Sequence, residues 1–273
     1  MALRIQNNIA ALYAHRNLTA SDNALTKSLE RLSSGYRINR AADDAAGLSI
    51  SQAFRADIAS YKAASRNVSE ANSVLQVAEG AIDAISNMLT RLKELATQAS
   101  SANGVSNLDK INAEGNALLA EIDRIAAVTE YAGSPLLDGT FSGDFQVGAR
   151  NVAANDRISV TIGAVDTTVL GLAVDQLDDQ VEAQAFLATV DTAIGTLNGI
   201  RGDIGAAQNR MAYAAANLAS TIENVTASES VIRDVDMAAE MVNFTKHQIL
   251  LQAGTAMLAQ ANLAPQVVLQ LMA

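Results

Sequence analysis

Side chains that could do acid–base chemistry or bind a metal are few and widely spaced in this sequence. The two histidines, His15 and His247, lie near opposite ends of the chain, and two imidazoles without a third ligand make a poor metal site. The carboxylate pairs Asp43–Asp44 and Asp178–Asp179 have the residue type for acid–base catalysis, but helix capping and a solvated loop explain them better. No cysteine is present, which excludes disulfides and cysteine-based metal sites. We therefore predict a non-enzymatic protein without catalytic residues, metal ligands or a cofactor.

Composition and charge narrow the class of protein further. The net charge of −10 over 273 residues argues against nucleic acids and anionic membranes as partners. There is no apolar run of about eighteen residues and no apolar signal segment near the start, so we expect neither membrane insertion nor an ordinary secretory signal. Aromatic residues make up 4% of the chain and tryptophan is absent. This composition disfavours a large globular core and favours contacts between helices.

Seven-residue repeats are the strongest structural signal. Apolar residues recur at steps of three and four from Phe54 to Ala99 and again from Leu187 to Ile232. This spacing predicts two long coiled-coil helices packed against each other. The predicted seam between them includes Val68, Leu75, Ile82, Leu89, Leu197, Ile204, Met211 and Leu218. Arg201, Gln208 and Glu229 interrupt the second series, and such polar seam residues usually fix the register of the pair.

Shorter elements are predicted before, between and after these helices. An amphipathic helix near the start should end at Gly35, which suits a left-handed cap, and a shorter helix should present Leu108, Ile111, Leu118, Ile122 and Ile125 on one face. Alternating residues at Phe145–Val147 and Ile158–Ile162 predict a small β-hairpin. A last helix at Met237–Ala261 is apolar on several sides, so we expect much of its surface to be buried against other copies of the chain.

Several long motifs resemble those of the bacterial flagellins over nearly the whole chain. They are Ile5-Gln-Asn-Asn-Ile9, Ser28-Leu-Glu-Arg-Leu-Ser-Ser-Gly-Tyr-Arg-Ile-Asn39, Asp43-Asp-Ala-Ala-Gly-Leu48, Leu136-Leu-Asp-Gly139, Gly205-Ala-Ala-Gln-Asn-Arg210, Asp234-Val-Asp-Met-Ala-Ala-Glu240 and Gln260-Ala-Asn-Leu-Ala-Pro-Gln266. The resemblance implies a mainly α fold, in which a long antiparallel helical hairpin with a small β-hairpin lies outside an inner coiled-coil layer formed by the paired terminal helices.

The resemblance also implies a domain organisation. Residues 1–40 and 235–273 would form the terminal inner-layer domain, and residues 41–234 the helical core domain, with its β-hairpin near 140–175. Only Thr140–Asp179 separates the two halves that match the family, so we expect no outer variable domain.

The function implied by the resemblance is that of a structural subunit. Copies of the chain would self-assemble into the helical flagellar filament for swimming motility, outside the cell, after export through the flagellar type III apparatus. The implied partners are other copies, an export chaperone, the filament cap and the hook–filament junction proteins. The residues expected to make terminal polymerisation contacts are Ile5, Ile9, Leu12, Ile249, Leu258 and Leu263.

One segment resembles a second recognition site of the family. Leu89–Ala96 is similar to the stretch that a toll-like innate immune receptor recognises in many flagellins. The resemblance implies receptor contacts by Arg91, Leu95 and Glu114. A structural role for the same residues in contacts between subunits is the alternative.

Other classes of protein fit the sequence less well. A signalling coiled coil of the chemoreceptor type shares long alanine-rich repeats, but it lacks the strands predicted here. A filament-junction protein, or a surface-displayed flagellin homologue that binds an extracellular ligand, stays within the resemblance and is the main alternative. An enzyme inserted in the middle segment would have about forty residues available, too few for a domain.

Overall fold

The computed structural model of the chain describes residues 8–101 and 107–272. Within these ranges the backbone is mostly helical and carries two small antiparallel sheets. The elements in chain order are α1 (Ile9–Ser34), α2 (Ala45–Ala99), α3 (Leu108–Val128), β1 (Glu130–Tyr131), β2 (Ser134–Pro135), β3 (Ser142–Gln146), α4 (Ala153–Asp156), β4 (Arg157–Thr161), α5 (Thr167–Leu170), α6 (Gln180–Arg233) and α7 (Met237–Met272). The predicted fold class, mainly α with a small hairpin, is confirmed.

The chain divides into two compact units. The terminal unit comprises Met1–Ala56 and Asn224–Ala273, and the central unit comprises Asp57–Glu223. The boundaries of these units fall inside α2 and α6, whereas the domain limits predicted from the sequence follow the helix ends. The predicted division into an inner-layer domain and a helical core domain therefore stays a prediction. Within the described residues, no helix has the length and apolarity needed to cross a membrane.

Helices α1 and α7 of the terminal unit pack as an antiparallel pair. Near one end Asn8 Nδ2 donates to the carbonyl of Ala261 (2.7 Å), and near the other Ser28 Oγ donates to Glu240 Oε1 (2.5 Å). The least exposed positions of both helices recur at steps of three and four, as in a two-stranded coiled coil. This terminal seam consists of Ala11, Ala14, Leu18, Ser21, Leu25, Ser28 and Leu32 on α1 and of Glu240, Phe244, His247, Leu251, Gly254, Leu258 and Ala261 on α7.

The segments that connect α1 to α2 and α6 to α7 are joined by a clamp. Tyr36 and Asp234 form an isolated antiparallel β-bridge, and the N–H of Arg37 donates to the carbonyl of Arg233 (2.7 Å). The Arg233 guanidinium lies 4.1 Å from the centre of the Tyr36 ring, within cation–π range. Residues nearly two hundred positions apart in the sequence are thereby held together.

Capping residues set the ends of these helices. Gly35 has φ +76°, a left-handed conformation that costs glycine little, and its N–H donates to the Arg31 carbonyl (2.9 Å). The prediction of a left-handed cap at Gly35 is confirmed. Of the two aspartates proposed as the cap of α2, Asp44 has that role, since its Oδ1 accepts from the Gly47 N–H (2.9 Å).

Asp43 instead links α1 to the segment that precedes α2. Its carboxylate lies 2.7 Å from the Lys27 ammonium and accepts the backbone N–H groups of Asn39 and Arg40. Hydrogen bonding to Lys27, followed by the bond from the Arg40 backbone, lowers the pKa of Asp43 from 3.8 to about 2. The charged carboxylate therefore stabilises the folded terminal unit.

Helices α2 and α6 form the long pair of the central unit. Each is about 80 Å long over its full length at 1.5 Å per residue. Three polar pairs join them: Lys93 with Asp191, Arg201 with Asp83, and Gln208 with Glu79. From Glu79 to Lys93 the contacting residues advance along α2, while their partners run backward along α6 from Gln208 to Asp191. The pair is therefore antiparallel. The polar seam residues Arg201 and Gln208 thus contact α2 at single positions, which fixes the register.

Helix α3 and the β-hairpin complete the core of the central unit. The buried residues of α3 are Ile111, Gly115, Leu119, Ile122 and Ala126. The other predicted face residues, Leu108, Leu118 and Ile125, are half-buried and pack against the same core, so all five predicted residues face it. Gly115 allows a close approach, because a Cβ atom at this position would lie 2.7 Å from Leu177 Cδ1. A search for large apolar residues misses such a position. Strands β3 and β4 pair antiparallel with Phe145 opposite Ile158, which confirms the predicted hairpin.

The last helix is longer than the sequence analysis predicted. It was expected to end at Ala261, but α7 continues to Met272, past Pro265. The predicted end at Ala261 was therefore wrong, and Pro265 lies inside the helix. A proline removes one hydrogen bond and crowds the preceding turn, a cost that a long helix can carry.

Candidate assembly surface

The side of α7 that faces away from the terminal seam carries a second apolar repeat. Val242, Ile249, Ala256 and Leu263 are spaced by seven residues, so they lie in one row along the helix. All four are exposed, with Val242 at 69%, Ile249 at 59% and Leu263 at 48%. We call this row the outer stripe. A single helix thus has one apolar seam covered by α1 and one left open.

A shallow groove lies on the outer stripe near the start of α7. It has a volume of about 420 Å³ and is lined by Met241, Val242, Thr245, Lys246 and Ile249. The Thr245 hydroxyl donates to the Met241 carbonyl within the helix (2.9 Å), so the groove surface is mainly aliphatic. Such a surface gains free energy when it is removed from water.

Helix α1 also presents apolar side chains away from the terminal seam. Ile9, Leu12 and Leu29 are 46%, 66% and 57% exposed. Tyr13 is exposed as well, with the Arg16 guanidinium 5.9 Å from its ring centre. Both terminal helices therefore carry uncovered apolar surface, which is uncommon on a chain that functions as a monomer.

The structure places the described members of the predicted polymerisation set in two environments. Ile9, Leu12, Ile249 and Leu263 lie on uncovered surface. Leu258 lies in the terminal seam among the less exposed residues, so its contacts are made within the chain. Ile5 lies outside the described residues.

A buried polar cluster crosses the terminal seam, and the sequence analysis did not identify it. Ser28 and Glu240 are 4% and 7% exposed and share the 2.5 Å hydrogen bond described above. Arg31 Nη1 lies 3.6 Å from Glu240 Oε2. The sequence does carry a signal for Glu240, because this residue begins the three–four spacing that continues through Phe244. A search for apolar repeats overlooks it because the residue is charged.

All eight predicted seam residues of the long helices are buried in the central unit. Their exposed fractions do not exceed 4%. They are Val68, Leu75, Ile82, Leu89, Leu197, Ile204, Met211 and Leu218.

The three predicted receptor contacts do not share one environment. Arg91 and Glu114 are about half exposed and are joined by a 2.9 Å ion pair, and Arg91 Nη1 also lies 2.9 Å from Glu94 Oε2. The hydrogen bonds that Arg91 donates to the carboxylates of Glu94 and then Glu114 raise the pKa of Arg91. Leu95 is 1% exposed and packs in the core, so its side chain offers no surface to a receptor in the isolated subunit.

The described residues do not meet the requirements of a metal site. Their histidines, aspartates and glutamates make no group of three suited to a metal ion. His15 and His247, considered in the sequence analysis, lie on α1 and α7, respectively. The described residues form a helical chain with uncovered apolar rows. Proteins of this class associate through their helices.

Comparison with known proteins identifies the family. Residues 5–142 match the bacterial flagellin N-terminal helical region, and residues 187–272 match the bacterial flagellin C-terminal helical region. The chain is 43% identical to a flagellin of Halalkalibacterium halodurans, over 98% of this chain and 99% of that protein. It is 40% identical to the flagellar filament 33 kDa core protein of Treponema phagedenis, again over 98% and 99%.

A solved structure gives a further match. The crystal structure of Bacillus cereus flagellin is 32% identical, covers 56% of this chain and 88% of its own length, and superposes with a TM-score of 0.49. The two family matches, together with the identity to the Halalkalibacterium and Treponema proteins over nearly the full chain, place this chain in the bacterial flagellin family. The family is one of structural proteins, and the names of these relatives give no support to the alternative of a ligand-binding or junction protein.

Proposed function

We propose that this chain is the structural subunit of a bacterial flagellar filament and that it polymerises through the uncovered side of its terminal helix pair. The observation that carries the proposal is the outer stripe, a seven-residue apolar repeat on α7 that α1 does not cover. A heptad row of this kind fits a neighbouring helix as a second seam. Another copy of the chain can supply that helix, since α1 also has uncovered apolar side chains.

The energetics favour association over exposure. Burying one Val, Ile or Leu side chain completely stabilises by about 1.5–3 kcal/mol, and every subunit of a polymer would bury its own stripe. A contact between different surfaces of identical chains propagates into an open helical polymer unless the rotation between copies closes a ring. A filament therefore follows from this surface more directly than a dimer does.

Substitution within the stripe tests the proposal. We expect Ile249→Asn to reduce the yield of filaments strongly, because a polar amide would have to be buried in the new seam. The measurement is sedimentation and negative-stain imaging after salt-induced assembly. Gln252→Asn introduces the same residue at an exposed position one turn on, and it removes no apolar side chain. Normal filaments from the Ile249 variant would contradict the assigned surface.

The finer parts of the proposal rest on the family resemblance. We infer export through the flagellar type III apparatus and a final location in the extracellular flagellum, where the filament drives swimming. The partners would be an export chaperone, the filament cap and the hook–filament junction proteins. The terminal helices would form the inner layer, residues 1–40 and 235–273, and residues 41–234 the helical core domain.

A second role is recognition of the subunit by a toll-like innate immune receptor. The exposed pair of Arg91 and Glu114 supports it, since both side chains are accessible and already oriented by their ion pair. We assign Leu95 a packing role beneath them. Arg91→Ala should weaken activation of a receptor reporter cell by purified subunit. Arg124→Ala is the matched control, because Arg124 is a comparably exposed arginine paired with Glu121 on α3. Equal responses to both variants would contradict this role.

A further inference from the structure

The methionines whose side chains the structure describes fall into two environments. Met211 is fully buried in the central unit, and Met88 is half-buried against the same core. Met237, Met241 and Met257, all on α7, are 49%, 49% and 63% exposed. The accessible thioethers are therefore concentrated on the helix that also carries the outer stripe.

Met241 belongs to the uncovered surface itself. It lines the groove on α7 together with Val242 and Ile249. A thioether is apolar and flexible, so an unmodified Met241 adapts well to a packed helix interface. Its sulfur is also the most readily oxidised atom of that surface.

We propose that Met241, with Met237 and Met257, is a site of reversible oxidation by hydrogen peroxide, and that its sulfoxide prevents self-assembly. The inference rests on the proposed filament function. A lone pair of the methionine sulfur attacks one peroxide oxygen and the O–O bond breaks. The sulfur–oxygen bond of the sulfoxide forms, and the second oxygen leaves as water after proton transfer. Sulfur is oxidised by two electrons and the peroxide is reduced by two.

The effect on assembly follows from the change in polarity. A sulfoxide is polar and chiral and carries a strong acceptor oxygen, so it disrupts methionine-containing interfaces. Burying that oxygen without a donor costs free energy. Of the residues that line the groove, Thr245 and Lys246 have side-chain donors. The Thr245 hydroxyl already donates to the Met241 carbonyl, and the Lys246 ammonium would be buried together with the oxygen. Oxidised subunits should therefore stay unassembled.

The first measurement is a map of oxidation in the full-length subunit. After graded treatment with hydrogen peroxide, peptide mass spectrometry should find sulfoxide at Met237, Met241 and Met257 well before Met211. Met211 is the internal control, because it is equally a methionine but fully buried. Oxidation of Met211 at the same rate as Met241 would overturn the proposed selectivity.

The second measurement is assembly of the same samples. Peroxide treatment should lower the filament yield several-fold, and treatment with methionine sulfoxide reductases should restore it. The variant M237L/M241L/M257L keeps an apolar surface of similar volume and should assemble before and after peroxide. Loss of assembly by this oxidised variant would overturn the inference, since the responsible residue would lie elsewhere.

The outcomes separate this inference from the function on which it rests. If untreated subunit forms no filament, the filament function itself is contradicted. If untreated subunit polymerises and the protein with fully oxidised Met241 polymerises equally well, the redox inference alone is overturned.

Discussion

Single polar contacts hold the terminal helix pair in one arrangement. The Ser28–Glu240 hydrogen bond and the nearby Arg31 guanidinium occupy a seam that is otherwise mostly aliphatic. Shifting α1 along α7 would leave the Glu240 carboxylate buried without its donors. A buried charge without a partner destabilises the fold more than an exposed charge does. A polar residue in a coiled-coil seam thus selects a register at some loss of stability.

The stabilisation that Asp43 contributes to the terminal unit depends on pH. Its pKa is about 2 when folded against an ordinary value of 3.8, so its contribution is fully present above about pH 4 and is lost as the pH falls toward 2. Asp43→Asn should lower the stability of the terminal unit near neutral pH and flatten the acid side of the stability curve. Urea denaturation at a series of acidic pH values, followed by circular dichroism, measures this. Asp22→Asn, at an exposed position on α1, should keep the wild-type dependence of stability on acidic pH. The same dependence in the Asp43 variant would refute the assignment.

Periodicity at the scale of whole elements explains how much of the fold was predictable. The two long helices follow from long apolar repeats, and the hairpin follows from the alternation of apolar and polar residues, because both patterns report burial directly. The polar cluster in the terminal seam and the close contact at Gly115 were missed because Ser28, Glu240 and Gly115 occupy buried positions that apolar scales do not mark. The candidate surface was partly predictable, since Ile249 and Leu263 are large apolar residues in the last helix. The assignment of Leu258 to the terminal seam required the paired helix α1.

The long seam gives a prediction at the scale of the element. Leu89 is fully buried in the central unit, so Leu89→Ala should destabilise the subunit by about 2–5 kcal/mol, the usual cost of a cavity in a packed core. Thermal unfolding should show a clear drop in melting temperature. Thr90→Ala changes the next residue, whose exposed side chain bonds only to the Ser86 carbonyl of its own helix among the described contacts. Equal drops in the two variants would show that the seam does not run through Leu89.

At the scale of the whole molecule, assembly should change which surfaces solvent reaches. The chain contains no cysteine, so one introduced thiol reports its own accessibility. Ala256→Cys on the outer stripe should react with a maleimide in the free subunit and be strongly protected in the filament. Arg150→Cys, at an exposed position in the loop between β3 and β4, should react in both states. Unchanged labelling of the Ala256 variant after assembly would place the intersubunit contact elsewhere.

The clamp between the two connectors has an entropic consequence for the residues between them. By tying Tyr36 to Asp234 and Arg37 to Arg233, it closes roughly 200 residues into a ring without a covalent bond. An unfolded segment whose ends are tethered has fewer conformations than a free one, and the difference grows with the logarithm of its length. While the clamp holds, the central unit therefore has less entropy to gain by unfolding. A few backbone hydrogen bonds outside its core thus raise its resistance to unfolding, as a reversible counterpart of a disulfide.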